Sequence, residues 1–189
     1  MRPFLKDDSI VLRALEPEDI DLLYEWENCE EIWTISHTIT PFSKHLLALY
    51  IQNADKDLYE TKQLRLMIET TAGKTVGAID LFDFDPFHSR VGLGILVHSP
   101  EDRSKGSATA ALGLVIGYCF GKLGLHQIYA NILTDNEVSI KLFLKAGFEV
   151  TGTKKEWIRE GNLWKDELLL QLVNHHISTL YSGISFRNS

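Results

Sequence analysis

The sequence predicts a single α/β (α+β) domain with a mixed central sheet of about six or seven strands and helices on both faces. Residues 63–97 are mostly strand-like, because apolar and polar side chains alternate there with a period of two. A strand–helix–strand–helix–strand order then follows and ends near residue 173. Helices placed between strands in this order pack on the faces of one sheet.

The length and the net charge of the chain indicate a single soluble domain that does not bind nucleic acid. The chain has 189 residues, a formal net charge of -7 and 44% hydrophobic residues, which suits one soluble domain. We assign residues 1–173 to this domain and leave 174–189 as a C-terminal tail. An acidic surface repels nucleic-acid phosphates and attracts small cations, so nucleic acid is not an expected partner.

The cysteine content and the N-terminus predict a cytoplasmic protein. Only Cys29 and Cys119 are present, which is too few for a disulfide framework. The opening residues, MRPFLKDDS, lack the apolar core of a signal peptide. The single long apolar stretch is interrupted by glycine and is too short to span a bilayer, so we expect no membrane partner.

The first 60 residues predict one strand and two helices. In SIVLRALEPED, Ile10, Leu12 and Ala14 alternate as in a strand, and residues 16–19 supply the proline and acids of a first helical turn. A second helix is expected in TPFSKHLLALYIQNA, with Ser43 as a possible N-cap. Residues 29–39, CEEIWTISHTI, are irregular and are predicted to form a loop near a site.

The remaining elements follow from periodicity and from turn residues. Strands are predicted at 63–71, 76–84, 90–97, 126–134, 148–158 and 163–173, and helices at 107–123 and 136–146. The helix at 107–123 is apolar on nearly every face, which predicts burial. Gly113, Gly117 and Gly121 fall on one side of it, and we expect that side to pack closely against another element.

The loop before this helix has the composition of an anion site. The first turn of a helix leaves its amide N–H groups unpaired and partially positive. Arg103 and Lys105 add cations, and Gly106 allows a ligand to approach the backbone. These features predict a cradle for a diphosphate, and the alternative is a solvated loop with Ser104 or Ser107 as a simple cap.

Two motifs resemble those of the GNAT superfamily of acetyl-CoA-dependent N-acetyltransferases. The family opens its central helix with Gln/Arg-x-x-Gly-x-Gly/Ala, which here is Arg103-Ser104-Lys105-Gly106-Ser107-Ala108. NEVSIKLFLKAGFE is similar to the family's downstream Asn-to-Gly-Phe segment. VLRALEPEDIDLLYEWEN and SPEDRSKGSATAAL resemble the branch of spermidine and ribosomal-protein N-terminal acetyltransferases. The likeness extends over residues 10–173.

The resemblance implies where acetyl-CoA would bind. Backbone N–H groups of Arg103, Ser104, Lys105, Gly106, Ser107 and Ala108 would hold the pyrophosphate. The strand before that loop would splay from its neighbour and pair with pantetheine through Ile95, Leu96 and Val97. We expect a bulge at Gly92 and Gly94 to assist this splay. The family pattern also assigns cosubstrate contacts to Asn136, Ser139, Phe143 and Lys145, and Asn136 is at the same time a candidate N-cap.

The usual catalytic residues of the family are absent. Many relatives carry a tyrosine acid where this chain has Phe143, and a glutamate base where it has Gly92. Another group could replace them, or the protein could bind acyl-CoA without catalysis. Water-mediated deprotonation is the preferred explanation, because positioning alone accelerates acyl transfer strongly. An amide near Ile95 could stabilise the oxyanion.

Carboxylate side chains indicate where the amine acceptor would bind. Asp80, Asp83 and Asp85, with His88, surround one turn, and Asp80 and Asp83 are weak candidates for the base. Strand alternation puts Asp80 and Asp83 on opposite faces unless a bulge intervenes, and solvated strand ends are the alternative. Glu27, Glu30, Glu31 and Trp33 could line the acceptor side. No spacing of histidine and acid supports a metal site.

These observations predict an N-acetyltransferase acting on a primary amine, such as a polyamine or a similar small cation. One alternative is a protein N-terminal acetyltransferase of the ribosomal-protein type. The other is a non-catalytic acyl-CoA-binding regulatory module, which the residues at 143 and 92 motivate. Exposed strands near the C-terminus would also suit a homo-oligomer.

Overall fold

The computed structural model describes residues 5–36, 38–54 and 56–175, without the side chains of 34–36. It contains a seven-stranded sheet with the order β1-β2-β3-β4-β5-β7-β6, which confirms the predicted mixed sheet. Among the strand pairs of the described residues, only β4–β5 is parallel. The strands are β1 (Ile10–Ala14), β2 (Leu64–Thr70), β3 (Thr75–Asp85), β4 (Arg90–Val97), β5 (Gln127–Leu133), β6 (Glu149–Glu160) and β7 (Leu163–Val173).

The helices are α1 (Ile20–Glu27), α2 (Glu30–Ser36), α3 (Lys44–Gln52), α4 (Leu58–Thr61), α5 (Ser107–Gly121) and α6 (Glu137–Lys145). The loop predicted at 29–39 is wrong, since most of it is helix α2. Glu30 and Glu31 lie in its first turn, where acidic side chains are favourable. Ser43 caps α3 as predicted, with its side chain accepting from Leu46 N at 3.1 Å. The tail beyond residue 175 lies outside the described residues.

The sheet is covered on both faces. On one face, Ala111, Leu112, Val115 and Cys119 of α5 join the main core, and Phe143 of α6 packs into the same core. On the other face, Leu23 and Trp26 of α1 and Leu47 of α3 pack against Met67 and Ala78. The face covered by α1 and α3 is called the α1 face below, and the other the α5 face.

The glycines of α5 do not have the predicted packing role. Gly113, Gly117 and Gly121 are exposed, and a Cβ added at Gly113 or Gly117 would meet nothing within 4 Å. The helix is therefore buried on one side only. The sequence does not show which side, because apolar or small residues occur all around the helix. Cys119 is fully buried, and burial raises the pKa of its thiol to about 12.

The centre of the sheet opens between β4 and β5. The two strands pair only from Arg90–Gln127 to Gly92–Tyr129, so β4 from Leu93 onward is paired on the β3 side alone. The bulge predicted on β4 lies instead on β3, between Phe82 and Asp85. Asp83 adopts a positive φ of 50° there. The extra residue bends β3, because a bulge adds local twist to its strand.

Candidate active site

The gap between β4 and β5 forms a cavity of about 100 Å³. It brings together four residues predicted for the cosubstrate, namely Ile95, Asn136, Ser139 and Phe143. Phe143 is 2% exposed and meets Phe148 edge-on, with the ring centroids 4.9 Å apart. Asn136 also caps α6, since its side chain accepts from Ser139 N at 3.1 Å. The cavity lies between the separated strands, and Phe143 itself supplies no hydroxyl to it.

The loop before α5 carries a run of backbone amides without a hydrogen-bond acceptor in the described chain. Ser104 and Gly106 have left-handed φ values of 61° and 92°. Arg103 N donates to Pro100 O, and Ala110 N donates to Gly106 O. Between them, the amides of residues 104–109 donate to no acceptor in the described chain. Consecutive free amides at a helix N-terminus form an anion-binding concavity.

The cations of this loop are already engaged. Arg103 donates to Val97 O at 3.0 Å and to His98 O at 2.8 Å. Lys105 lies 3.3 Å from Asp102, which Lys74 also contacts at 2.6 Å. The hydrogen bond from Lys74 holds the pKa of Asp102 below its ordinary value. Arg103 therefore joins the loop to β4 and occupies the carbonyl of Val97, which was predicted to face pantetheine.

A second cavity, of about 140 Å³, lies on the α1 face. Trp26, Ile32 and Leu96 supply its apolar wall, and Glu27 and Asp80 supply carboxylates. Gly94 and Ile95 line both this cavity and the one in the gap. The two cavities therefore meet at the same two residues of β4, one reached from α6 and the other from α1.

Arg65 of β2 is a central residue of this second cavity that the sequence did not reveal. Its Nε donates to Asp80 Oδ1 at 2.7 Å and its Nη2 to Asp80 Oδ2 at 2.9 Å. Its Nη1 donates to Glu27. Although burial opposes the charge, Asp80 and Glu27 hold the pKa of Arg65 well above its ordinary value. Both oxygens of Asp80 are engaged, which weakens its candidacy as a base.

Asp83, Asp85 and His88 form a separate group at the bulge of β3. They lie beside an open pocket of about 450 Å³ that Asp83, Asp85 and Tyr129 help to line. Tyr129 Oη donates to Asp83 at 3.1 Å, so the bulge does bring Asp83 to the α1 face together with Asp80. Burial and this bond raise the pKa of Tyr129 to about 12. Asp85 accepts from His88 N at 2.9 Å.

The other residues predicted to bind the acceptor lie outside the cavity that Glu27 and Asp80 line. Glu30 and Trp33 line a fourth pocket, opposite Trp157 of β6, and Glu31 is exposed. Trp33 Nε1 donates to Glu27 O at 2.8 Å, which joins α2 to the end of α1. Lys145 is exposed at the last position of α6. Among the described residues, no group of histidine, cysteine, aspartate and glutamate is arranged to hold a metal ion.

A buried polar cluster next to the gap was also missed. Glu167 of β7 is 2% exposed and lines the gap cavity with Asn131 of β5. Lys154 of β6 donates to Glu167 at 2.7 Å and to Asn131 at 2.8 Å. These residues are distant in sequence and come together only through the order β5-β7-β6. No local motif could indicate this contact.

Comparison with known proteins identifies the family. The GNAT acetyltransferase domain model matches residues 9–149. The spermidine N(1)-acetyltransferase of Escherichia coli K12 is 30% identical over 146 residues, which cover 76% of this chain and 75% of the relative. The uncharacterized N-acetyltransferase YoaA of Bacillus subtilis (strain 168) is 27% identical over 175 residues, which cover 92% of this chain and 98% of that relative.

The fold agrees with this comparison. The crystal structure of spermidine N-acetyltransferase from Vibrio cholerae in complex with CoA and spermine matches with a TM-score of 0.79 and 22% identity. The match covers 88% of this chain and 96% of that one. The matching domain model and the Escherichia coli relative together define an acyltransferase of the GNAT class. The chain belongs to the GNAT acetyltransferase family, and acetyl-CoA is its cosubstrate.

Proposed function

We propose that the protein transfers the acetyl group of acetyl-CoA to a primary amine, and that the acceptor is a polyamine or a similar small cation. The observation that carries this proposal is the meeting of two cavities at Gly94 and Ile95. One cavity lies in the gap beside β4, the strand that leads into the loop with free amides before α5, and the other is lined by Glu27 and Asp80. A thioester and an amine that entered from these two sides would meet at β4.

On the cosubstrate side, each part of the gap has a distinct role. The amides of residues 104–109 would hold the diphosphate, and Asn136, Ser139 and Phe143 would contact the pantetheine arm. Bound acetyl-CoA supplies the thioester. A backbone amide at Ile95 would donate to the oxyanion that develops on the carbonyl, as preorganised amides do in acyl transfer.

On the acceptor side, the charge balance favours a cation. Glu27 and Asp80 carry two negative charges and Arg65 compensates one of them, so one negative charge remains beside Trp26 and Ile32. An aliphatic amine has a pKa near 10.4, and deprotonating it at pH 7 costs about 4.6 kcal/mol. The protein therefore has to bind the ammonium and then remove a proton. The names of the Escherichia coli and Vibrio cholerae relatives also support a polyamine acceptor.

A thiol-release assay with acetyl-CoA tests the proposal. The panel contains spermidine, spermine, diamines, amino sugars and N-terminal peptides. We expect turnover on the polyamines. Turnover on peptides alone would favour a protein N-terminal acetyltransferase. Acetyl-CoA binding in calorimetry without any acetylated product would favour a regulatory module and contradict the enzymatic proposal.

We also propose a cytoplasmic location, supported by the two unpaired cysteines, Cys29 and Cys119. Within the described part of the chain, no helix is both long and apolar enough to cross a membrane. Cell fractionation of the tagged protein checks the location.

A further inference from the structure

We propose that Glu167 on β7 is the catalytic base that removes the proton from the acceptor amine, with Lys154 and Asn131 as its positioning residues. This inference rests on the proposed function. It assigns the deprotonation step to a strand that lies on the far side of the gap from β4. No residue of the two motifs that identify the family takes part in it.

The strand register places the Glu167 side chain. Glu167 pairs with Leu133 of β5 and with Lys154 of β6. Its neighbour Leu168 packs against the core on the α5 face, and Leu170 is buried in that core. Because side chains alternate along a strand, Glu167 lies on the opposite face, which is the α1 face. The carboxylate thus reaches the gap from the side of the carboxylate-lined cavity.

The gap cavity brings this carboxylate to the reacting region. Glu167 lines it together with Gly94, Ile95 and Phe143. Gly94 and Ile95 are also the residues at which the acceptor cavity begins. Among the described residues, Glu167 is the one carboxylate that lines the gap cavity. Asp80 is held at both oxygens by Arg65, and Asp83 lines a different pocket at the bulge.

The surroundings of Glu167 suit a base that is kept in place. A buried carboxylate is costly without a charged partner, and the Lys154 ammonium supplies that partner at 2.7 Å. The Lys154 side chain is 31% exposed, so the pair reaches solvent and the proton can be released there. Among the described neighbours, β6 presents Lys154, β5 presents the neutral Asn131, and β4 and α6 present no ionisable side chain to the cavity.

The step balances without an additional acid. The ammonium nitrogen gives one proton to Glu167 and becomes a neutral amine. The nitrogen lone pair then forms the C–N bond to the thioester carbonyl. The C–S bond breaks with its electron pair on sulfur, and the second nitrogen proton passes to that sulfur. Glu167 finally returns its proton to solvent, so an ammonium and a thioester become an amide, a thiol and one released proton. Phe143 is compatible with this scheme, because the enzyme donates no proton.

The test compares E167Q with wild type, after wild-type turnover on spermidine, or on the peptide if the panel favours it, has been established. General-base catalysis contributes about 10²–10⁴-fold, so we expect kcat of E167Q to fall at least 10²-fold at pH 7. Acetyl-CoA affinity in calorimetry should stay within twofold. Because the amine itself becomes neutral as pH rises, kcat of E167Q should recover about tenfold per pH unit up to pH 9.5, while wild type changes less.

Two further variants serve as controls, one for loss of a surface carboxylate and one for an uncompensated charge at residue 154. E149Q removes an exposed carboxylate on β6 and should retain wild-type kcat. K154M/E167Q removes both charges, so no uncompensated ammonium remains, and it should show the same loss as E167Q. A folded E167Q or K154M/E167Q with near-wild-type kcat would overturn the proposal, as would a deficit that is equal at pH 7 and pH 9.5. Lack of wild-type turnover on any amine would instead overturn the proposed function.

Discussion

The ring of Phe82 on β3 occupies the space that a side chain at Gly92 of β4 would need. A Cβ at residue 92 would lie 2.2 Å from Phe82 Cε2. The same ring meets Tyr129 of β5 edge-on at 5.9 Å. A side chain as large as glutamate therefore has no room at residue 92, because Phe82, Gly92 and Tyr129 pack together from three neighbouring strands.

Replacing Gly92 with alanine should lower stability by about 1–3 kcal/mol, because overpacking of a filled site forces its neighbours to move. Denaturant unfolding measures this change. Gly94→Ala is the matched control, since the nearest atom to an added Cβ there is Phe82 Cε1 at 3.8 Å, an ordinary contact. Equal stability of the two variants would show that the Phe82 ring moves away easily.

Arg65→Gln should destabilise the fold by about 3–5 kcal/mol, because it leaves Asp80 and Glu27 partly buried without their cation. Arg90→Gln is the control. Its side chain is 47% exposed and contacts Asp85 at 3.2 Å, and such surface pairs contribute about 0–1 kcal/mol. Thermal and denaturant unfolding would measure the loss of stability in each of the two variants. A small loss for Arg65→Gln would mean that water replaces the guanidinium in the cavity.

Gly113→Ala and Gly117→Ala should each raise stability by about 0.5–1 kcal/mol, since glycine is unfavourable inside a helix and an added methyl has open space there. Melting temperatures should rise with unchanged acetyl-CoA affinity. Gly124→Ala also has open space, but φ is +65° at that position, so this control should lose stability. A loss in all three variants would reveal a contact that covers the exposed side of α5.

Phe143→Tyr should change turnover by less than about threefold. A thiol has a reference pKa near 8.5 and departs readily, so a restored hydroxyl supplies little to this reaction. Steady-state kinetics with saturating acetyl-CoA measure the effect, and calorimetry confirms that the cosubstrate still binds. A tenfold increase would show that the wild-type enzyme is limited by protonation of the leaving sulfur.

Tyr129 should titrate near pH 12 rather than near its ordinary 10.0, chiefly because of burial and secondly because of its bond to Asp83. The raised pKa favours the protonated phenol in the folded state. Its contribution to stability is therefore complete below pH 10 and is lost as pH rises toward 12. Tyrosine NMR titration of wild type and Asp83→Asn checks this. We expect a lower Tyr129 pKa in the variant.

Local sequence features predicted the parts of the structure that are themselves local. The strands, the Ser43 cap and the amide loop before α5 each follow from residues close in sequence. The exposed side of α5 could not be predicted, because apolar residues around the whole helix conceal which side meets the sheet. Helix α2 was missed because it is short and lacks a clear apolar stripe.

The chemistry of the site was predicted less completely for a topological reason. Period-two alternation shows that Arg65 and Leu66 point to opposite faces, but not that α1 and α3 cover the face of Arg65. The contact between Lys154 and Glu167 depends on the order of strands in the sheet. Asp80 and Glu167 are both carboxylates on strands, and only the three-dimensional arrangement shows which one is held by an arginine and which one lines the gap.

The opening between β4 and β5 has a consequence for the order of events during turnover. In the proposed function acetyl-CoA and the amine occupy different cavities, so neither would have to leave before the other arrives. Acetylated product would then leave on the side of α1 while spent coenzyme remains beside α6. This proposed arrangement favours direct, sequential exchange within one ternary complex, without a covalent acetyl-enzyme.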